Sequence, residues 1–266
     1  MILEGGLIFF VSVVGVLGQI PSPSAPLSNF SYISGKGNVL LAIDRTGIVN
    51  RLDNGAWVAL PEPTPLVNDG DVGSAKAVSV GASPDGWHHL CTLTGQTYRF
   101  NPTSNAWEFS NSGRCLQVNA MSKNTAVEIQ RPSALDSNDG DIRKYNGAGL
   151  IPTWTLVAGS NQRVFQYSKW VSIGEDGEIW TISRKGNVFR YNGASNNFDG
   201  IPILSAIALD VRNATYATVV TAGCNAWTFK SGTWTKWAIS TCPVQTTSTS
   251  SNDYYLDEHG RFGSRH

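Results

Sequence analysis

The chain is short of charge. Asp, Glu, Lys and Arg make up only 15% of its 266 residues, against roughly 25% in an ordinary soluble domain, and twenty basic residues cancel twenty acidic ones. Lys and Arg never cluster along the chain, so the basic footprint that phosphate backbones demand is missing and nucleic acid is set aside as a partner. Cysteine is sparse, and Cys91, Cys115, Cys224 and Cys242 never fall at CxxC spacing, which argues against a zinc site. No GxSxG string is present, so the strained turn that exposes a hydrolase serine is not foreseen. The apolar run from Leu7 to Leu17 is too short to cross a bilayer, and an integral membrane protein is not expected.

That run suits a secretory leader. Val16-Leu17-Gly18 places small or branched residues before a cut ahead of Gln19, giving a signal peptide over 1–18 and a single domain over 19–266. The leader is atypical in one respect, because MILEGG carries Glu4 and no Lys or Arg. An even number of cysteines in two sequence-local pairs fits an oxidising compartment, and of three connectivities Cys91–Cys115 with Cys224–Cys242 is the one expected. Sequons at Asn29 and Asn213 mark candidate glycosylation sites in the same compartment.

What is abundant is glycine, 27 residues, and tryptophan, 9 residues, the make-up of short strands and tight turns. A repeat organises them. Aligned on a turn glycine, the chain shows Gly47, Gly95, Gly140, Gly186, Gly223 and Gly260 at intervals of about 37 to 48 residues, a propeller-blade period. Four residues on stand Arg51, Arg99, Lys144 and Arg190, and six residues on stand Asp53, Asn101, Asn146 and Asn192. Between them lie Leu52, Phe100, Tyr145 and Tyr191, and a closing aromatic follows at Trp57, Trp107, Trp154, Phe198 and Trp234. Strand alternation puts the basic and Asn/Asp columns on one face and the Leu/Phe/Tyr column on the other, as a blade with apolar layers requires. The fifth and sixth units drift, with Trp227 and Ser264 in the basic column. Blades are expected near 30–62, 75–110, 115–157, 165–200, 204–239 and 244–266, the last completed by 19–27.

The string WVSIGEDGEIWTISRKGNVFRYN over 170–192, with Val78-Ser79-Val80-Gly81, Asp85-Gly86 and Thr97-Tyr98-Arg99-Phe100-Asn101, resembles the tectonin repeat of slime-mould tectonins, horseshoe-crab and fish-egg lectins and a fungal lectin. The resemblance spans about 19–266 and is sharpest in the fourth unit. It implies an all-β, six-bladed β-propeller closed by its N-terminal segment, and a lectin. The implied partners are glycans, as N-acetylated or methylated sugars or microbial surface polysaccharide. The family's second-strand Trp stands at Trp180, while the corresponding columns hold Leu41, His89, Ala134, Ala217 and Tyr254, so unequal blades are expected.

A sugar needs an aromatic to stack on and polar groups for its hydroxyls. Trp87, Trp180, Trp227 and Tyr254 are the stacking candidates, and Trp57, Trp107, Trp154 and Trp234 are assigned to the core. The fourth blade, with Trp180, Asp176 and Arg190, is the leading site. The second, with Trp87 and Arg99, follows, and Tyr254 is a further contact. For the basic column as a whole a structural role is favoured, with Asp85 or Asp176 of a neighbouring blade as partner. His88 and His89 point to opposite strand faces and cannot share an ion. Asp136-Ser137-Asn138-Asp139-Gly140-Asp141 fails calcium-loop spacing and is read as a turn. Glu175 and Asp176 fall in a turn rather than a cleft, so no enzyme and no cofactor are expected. A structural or adhesive matrix protein without a sugar ligand is the alternative function, and homo-oligomerisation stays open.

Overall fold

The computed structural model describes residues 29–64, 76–111, 115–130, 140–148, 153–158, 168–203 and 205–265. The strands fall into six antiparallel sheets. The first holds β1 (Phe30–Lys36), β2 (Val39–Asp44), β3 (Val49–Asp53) and β4 (Ala56–Ala59), and the second β5 (Ala77–Gly81), β6 (His89–Thr92), β7 (Thr97–Asn101) and β8 (Ala106–Asn111). The third comprises β9 (Cys115–Ser122), β10 (Thr125–Gln130), β11 (Ile142–Asn146) and β12 (Thr153–Leu156), and the fourth β13 (Ser168–Ile173), β14 (Ile179–Ser183), β15 (Val188–Asn192) and β16 (Asn197–Ile201). The fifth holds β17 (Ala206–Asn213), β18 (Tyr216–Thr221), β19 (Asn225–Lys230) and β20 (Thr233–Lys236), and the sixth β21 (Pro243–Ser248), β22 (Asp253–Asp257) and β23 (Phe262–Arg265). Each first strand touches the first strand of the next sheet, and β21 returns to β1. The result is a six-bladed β-propeller, as expected. The expected outer strand of the last blade, over 19–27, lies outside the described residues, as do the leader and most of the 136–141 loop.

The turn glycines join the blades. Gly47, Gly95, Gly140, Gly186 and Gly260 sit at φ between 76° and 89°, a region that favours glycine. The carbonyl of each accepts from the first residue of the next blade: Ala77, Cys115, Ser168 and Ala206 donate in turn, and Phe30 N–H to Gly260 O at 3.2 Å closes the ring. A side chain would spoil this joint, because a Cβ on Gly260 would lie 2.7 Å from Phe30 O. Blade five departs. There Cys224, not Gly223, takes the left-handed position at φ 60°, and the next blade opens with Pro243, which has no N–H to give. The Cys224–Cys242 disulfide spans this joint, with Cα atoms 4.6 Å apart. The other bridge, Cys91–Cys115, ties β6 to β9 and so blade two to blade three.

Moving the fifth unit to Cys224 corrects its columns. Thr228, not Trp227, faces Thr218 as Arg190 faces Trp180, and Thr218 replaces Ala217 in the second-strand column. In blade three Lys144 pairs with Val127, not Ala134, because the segment between β10 and β11 is longer than in the other blades. With these registers the outer hairpins agree. Leu52, Phe100, Tyr145, Tyr191 and Phe229 each pair directly with the closing Trp57, Trp107, Trp154, Phe198 and Trp234. Four of these pairs hold ring centroids 5.1–5.2 Å apart, a separation at which aromatic pairs attract beyond their buried area.

The axis is filled. Tyr32 of blade one stacks on Trp170 of blade four at 5.6 Å, and Gln117 of blade three donates to the Tyr32 hydroxyl at 3.0 Å. Burial pushes that phenol up to about 12. Beside them Lys36, with no exposed surface, donates to Ile173 O at 2.8 Å and to Val211 O, and lies 3.7 Å from Asp210 Oδ1. Asp210 accepts in turn from the Ser172 and Thr247 hydroxyls and from Ser248 N–H, each at 3.0 Å.

Candidate functional site

The second-strand column is an inter-blade layer. Leu41 joins Phe100 and Trp107 of the next blade in one cluster, and Val127 joins Phe198 and Tyr191. His89 meets Tyr145 edge-on at 5.2 Å, and Trp180 packs on Phe229 at 5.4 Å. Tyr254 packs with Leu40 and Leu52 of blade one. Trp180 and Tyr254 each have 0% exposed surface, so neither offers a ring face to a sugar, and the stacking expected of them is corrected to packing between blades. Trp87 is half-buried, but Arg99 lies 4.7 Å from its ring centre and Lys123 Nζ 4.2 Å. Both cations already use the ring. Trp227 is half-buried on β19.

The basic column does carry structural contacts, but not to the partners expected of it. Arg51 binds Asp53, Arg99 binds Glu108 at 2.9 Å and Tyr145 Oη at 3.1 Å, and Arg190 binds Glu178 at 2.6 Å. Asp85 and Asp176 serve elsewhere. Each spans to the next blade by accepting a backbone N–H, from Lys123 at 2.7 Å and from Ala214 at 2.6 Å. Glu175 accepts from Gly37 N–H at 2.7 Å. The Arg190 guanidinium is raised above its ordinary value, chiefly by its hydrogen bond to Glu178. Glu108 is held below the usual carboxylate range by Arg99 and Asn101.

Arg190 nevertheless lines an open pocket of about 370 Å³ with Glu178, Tyr191, Asn192, Gly193 and Asp199. The pocket is built from β15, β16 and the residue that leads into β14, with Asn192 Nδ2 donating to Asp199 Oδ2 at 3.0 Å and Asn192 Oδ1 accepting from Ala194 N–H at 3.1 Å. Tyr191 is half-buried, but its ring packs on Phe198 at 5.2 Å, on the face of β15 opposite Arg190 and Asn192. Glu178 and Asp199 escaped the sequence reading, although Glu178 stands two residues before Trp180 and Asp199 directly opposite Arg190.

His88 and His89 are buried and apart in role. His88 stacks on Phe100 at 5.8 Å and accepts from Ser83 N–H through Nδ1 at 3.3 Å. His88 Nε2 and both nitrogens of His89 have no partner. Burial pushes each ring down to about 3, with Arg51 and Arg99 as the next causes for His88 and His89 respectively. No cluster of metal-ligating residues occurs among the described residues. Asn29 is exposed beside the ring joint, and the Oδ1 of half-buried Asn213 accepts from Thr215.

No family model and no curated protein matches the chain. Solved structures share its fold at remote identity. A chain in the crystal structure of the mitotic checkpoint complex matches with TM-score 0.59 at 11% identity, over 99% of this chain and 98% of that one. YCF48 bound to D1 peptide matches with TM-score 0.57 at 14% identity, over 88% and 77%. PorZ, a bacterial surface component of the type-IX secretion system of Porphyromonas gingivalis, matches with TM-score 0.59 at 14% identity, over 90% and 31%.

Proposed function

We propose that the chain is a secreted glycan-binding propeller of the tectonin kind, a lectin that acts without turnover. The observation that carries this reading is the blade-four pocket, where an arginine, two carboxylates and an asparagine line an open hollow of about 370 Å³. Convergent charged and amide groups of this kind supply the donors and acceptors that the hydroxyls of a pyranose need. Two disulfides between blades are chemistry that an oxidising compartment permits.

One such site binds weakly. At about 0.3 kcal/mol per heavy atom, a monosaccharide of about a dozen atoms gains about 4 kcal/mol, a millimolar Kd. Dense presentation raises apparent affinity by roughly 10²–10⁴ where several sites engage together. The test is retention on dense N-acetylhexosamine and methylated-sugar surfaces, for the intact protein and for Arg190→Ala with Asp199→Ala. Loss of avidity by a folded double variant is the expected result. Full avidity in that variant removes blade four as the site, and an intact protein that ignores every glycan surface leaves the matrix-scaffold reading in its place.

A further inference from the structure

One inter-blade layer is polar. In blades one to five the third strand presents Leu52, Phe100, Tyr145, Tyr191 or Phe229 to its closing aromatic, whereas blade six carries Arg265 at the same offset from its turn glycine. The residue that should pack toward blade six from blade five is Thr218, fully buried, with a hydroxyl that finds no partner. Four layers are wholly apolar, a fifth sets His89 against Tyr145, and only this one makes both facing residues non-aromatic and polar, a departure that stability alone does not reward, because a buried unpaired hydroxyl costs about 1–3 kcal/mol.

The departure opens a pocket of about 430 Å³, lined in part by Arg212, Tyr216, Thr228, Lys230, Asp253 and Arg265. Three cations stand there against one carboxylate. That carboxylate is already occupied: Asp253 accepts from Tyr216 Oη at 2.6 Å, from Ser248 Oγ at 2.9 Å and from Thr228 Oγ1 at 3.4 Å, with Arg212 Nη2 at 3.5 Å. Burial, aided by Asp253, pushes the Tyr216 phenol up to about 12, so it stays a donor. The cations are positioned rather than satisfied. Arg212 lies 4.1 Å from the Tyr216 ring centre and its Nε is buried without a partner. Arg265 lies 5.3 Å from the Trp237 ring centre and donates to Thr228 at 2.8 Å. Lys230 is exposed and pairs with no carboxylate among the described residues. By contrast the blade-four pocket holds one arginine against Glu178 and Asp199.

The geometry points to the blade five–six pocket as a binding site for an anionic group, the sulfate or carboxylate of an acidic polysaccharide. Two guanidinium groups held over aromatic rings suit a planar or tetrahedral oxyanion, and the exposed Lys230 adds charge at the rim. The charge balance of this pocket carries the anion, and its assignment to a polysaccharide rests on the glycan-binding reading of the chain, though not on the blade-four site.

The experiment compares retention on dextran, dextran sulfate and polygalacturonate, with Lys230→Gln, with Lys230→Gln plus Arg265→Gln, and with Lys185→Gln as a remote charge control. Expected are binding to at least one polyanion but not to dextran, weakening with added salt, an affinity loss of tenfold or more in the double variant and a smaller loss in Lys230→Gln. The sulfate and carboxylate arms identify which anion is held. No retention on either polyanion, equal retention on dextran, or an equal loss from Lys185→Gln overturns the proposal. Should Arg265→Gln fail to fold, Lys230→Gln alone decides, since that side chain lies exposed. Retention on neutral sugars with no polyanion binding would sink this site and leave blade four standing, and the converse result would do the reverse.

Discussion

A buried histidine with an unpaired ring nitrogen cannot accept a proton cheaply, and His88 and His89 are two such rings in sequence. His88 and His89 titrate near 3 when folded against about 6.5 in the unfolded chain, so the unfolded state binds more protons between those values. Their contribution is complete above pH 6.5 and is lost as pH falls toward 3. At pH 5 each histidine costs about 2 kcal/mol of stability, and the pair is not additive because His88 also depresses His89. His89→Leu, the residue type that Leu41 places in the same column, is expected to flatten the denaturation midpoint between pH 6.5 and 4. A wild-type midpoint that stays level across that range would show that both rings are hydrated in solution. The sequence disclosed these two as neighbours on opposite strand faces but gave no sign of their burial. Trp180 shows the same limit. Seen alone beside a polar turn it suits a sugar, and only the identity of its neighbour Phe229, about fifty residues on, turns it into packing.

At the scale of the element, the repeat columns carried most of the architecture, because a residue that must fit the same joint in every blade recurs at the same offset. Those columns failed where the joint itself changes. In blade five a cysteine replaces the glycine carbonyl latch, and in blade three a longer segment before β11 moves the partner of Lys144 to Val127. The Cys224–Cys242 bridge stands where Pro243 cannot donate, so it substitutes for a hydrogen bond as well as constraining the unfolded chain. Chain entropy alone assigns a loop of 18 residues roughly 3 kcal/mol. Cys224→Ser with Cys242→Ser is expected to lower stability by about that amount and to speed hydrogen exchange first in β21 and β22. Exchange that rises evenly in all six blades would show that the joint between blades five and six is not the local weak point.

At the scale of the whole molecule the ring is held from its centre, through contacts no repeat column could reveal. Lys36 reaches carbonyls 137 and 175 residues away, and it occurs once, so neither period nor alternation marks it. Through Lys36 and Asp210 the first, fourth, fifth and sixth blades share one network: β1 supplies the ammonium, β13 Ser172 and the Ile173 carbonyl, β17 Asp210 and the Val211 carbonyl, and β21 Thr247 and Ser248. A buried ion pair adds little net stability when compared with an apolar pair of the same shape, but removing one partner strands the other, at about 3–5 kcal/mol. Lys36→Met is therefore expected to lower the Tm by on the order of 10 °C. Lys36→Met with Asp210→Asn should regain most of that, because the amide has no charge to neutralise: its oxygen can still accept from the Thr247 hydroxyl and Ser248 N–H, while its NH2 donates to the Ser172 hydroxyl oxygen. The two variants separate a charge effect from a packing effect. If the double variant is as unstable as the single one, the ammonium acts by filling the axis and capping the Ile173 and Val211 carbonyls, and its pairing with Asp210 is incidental.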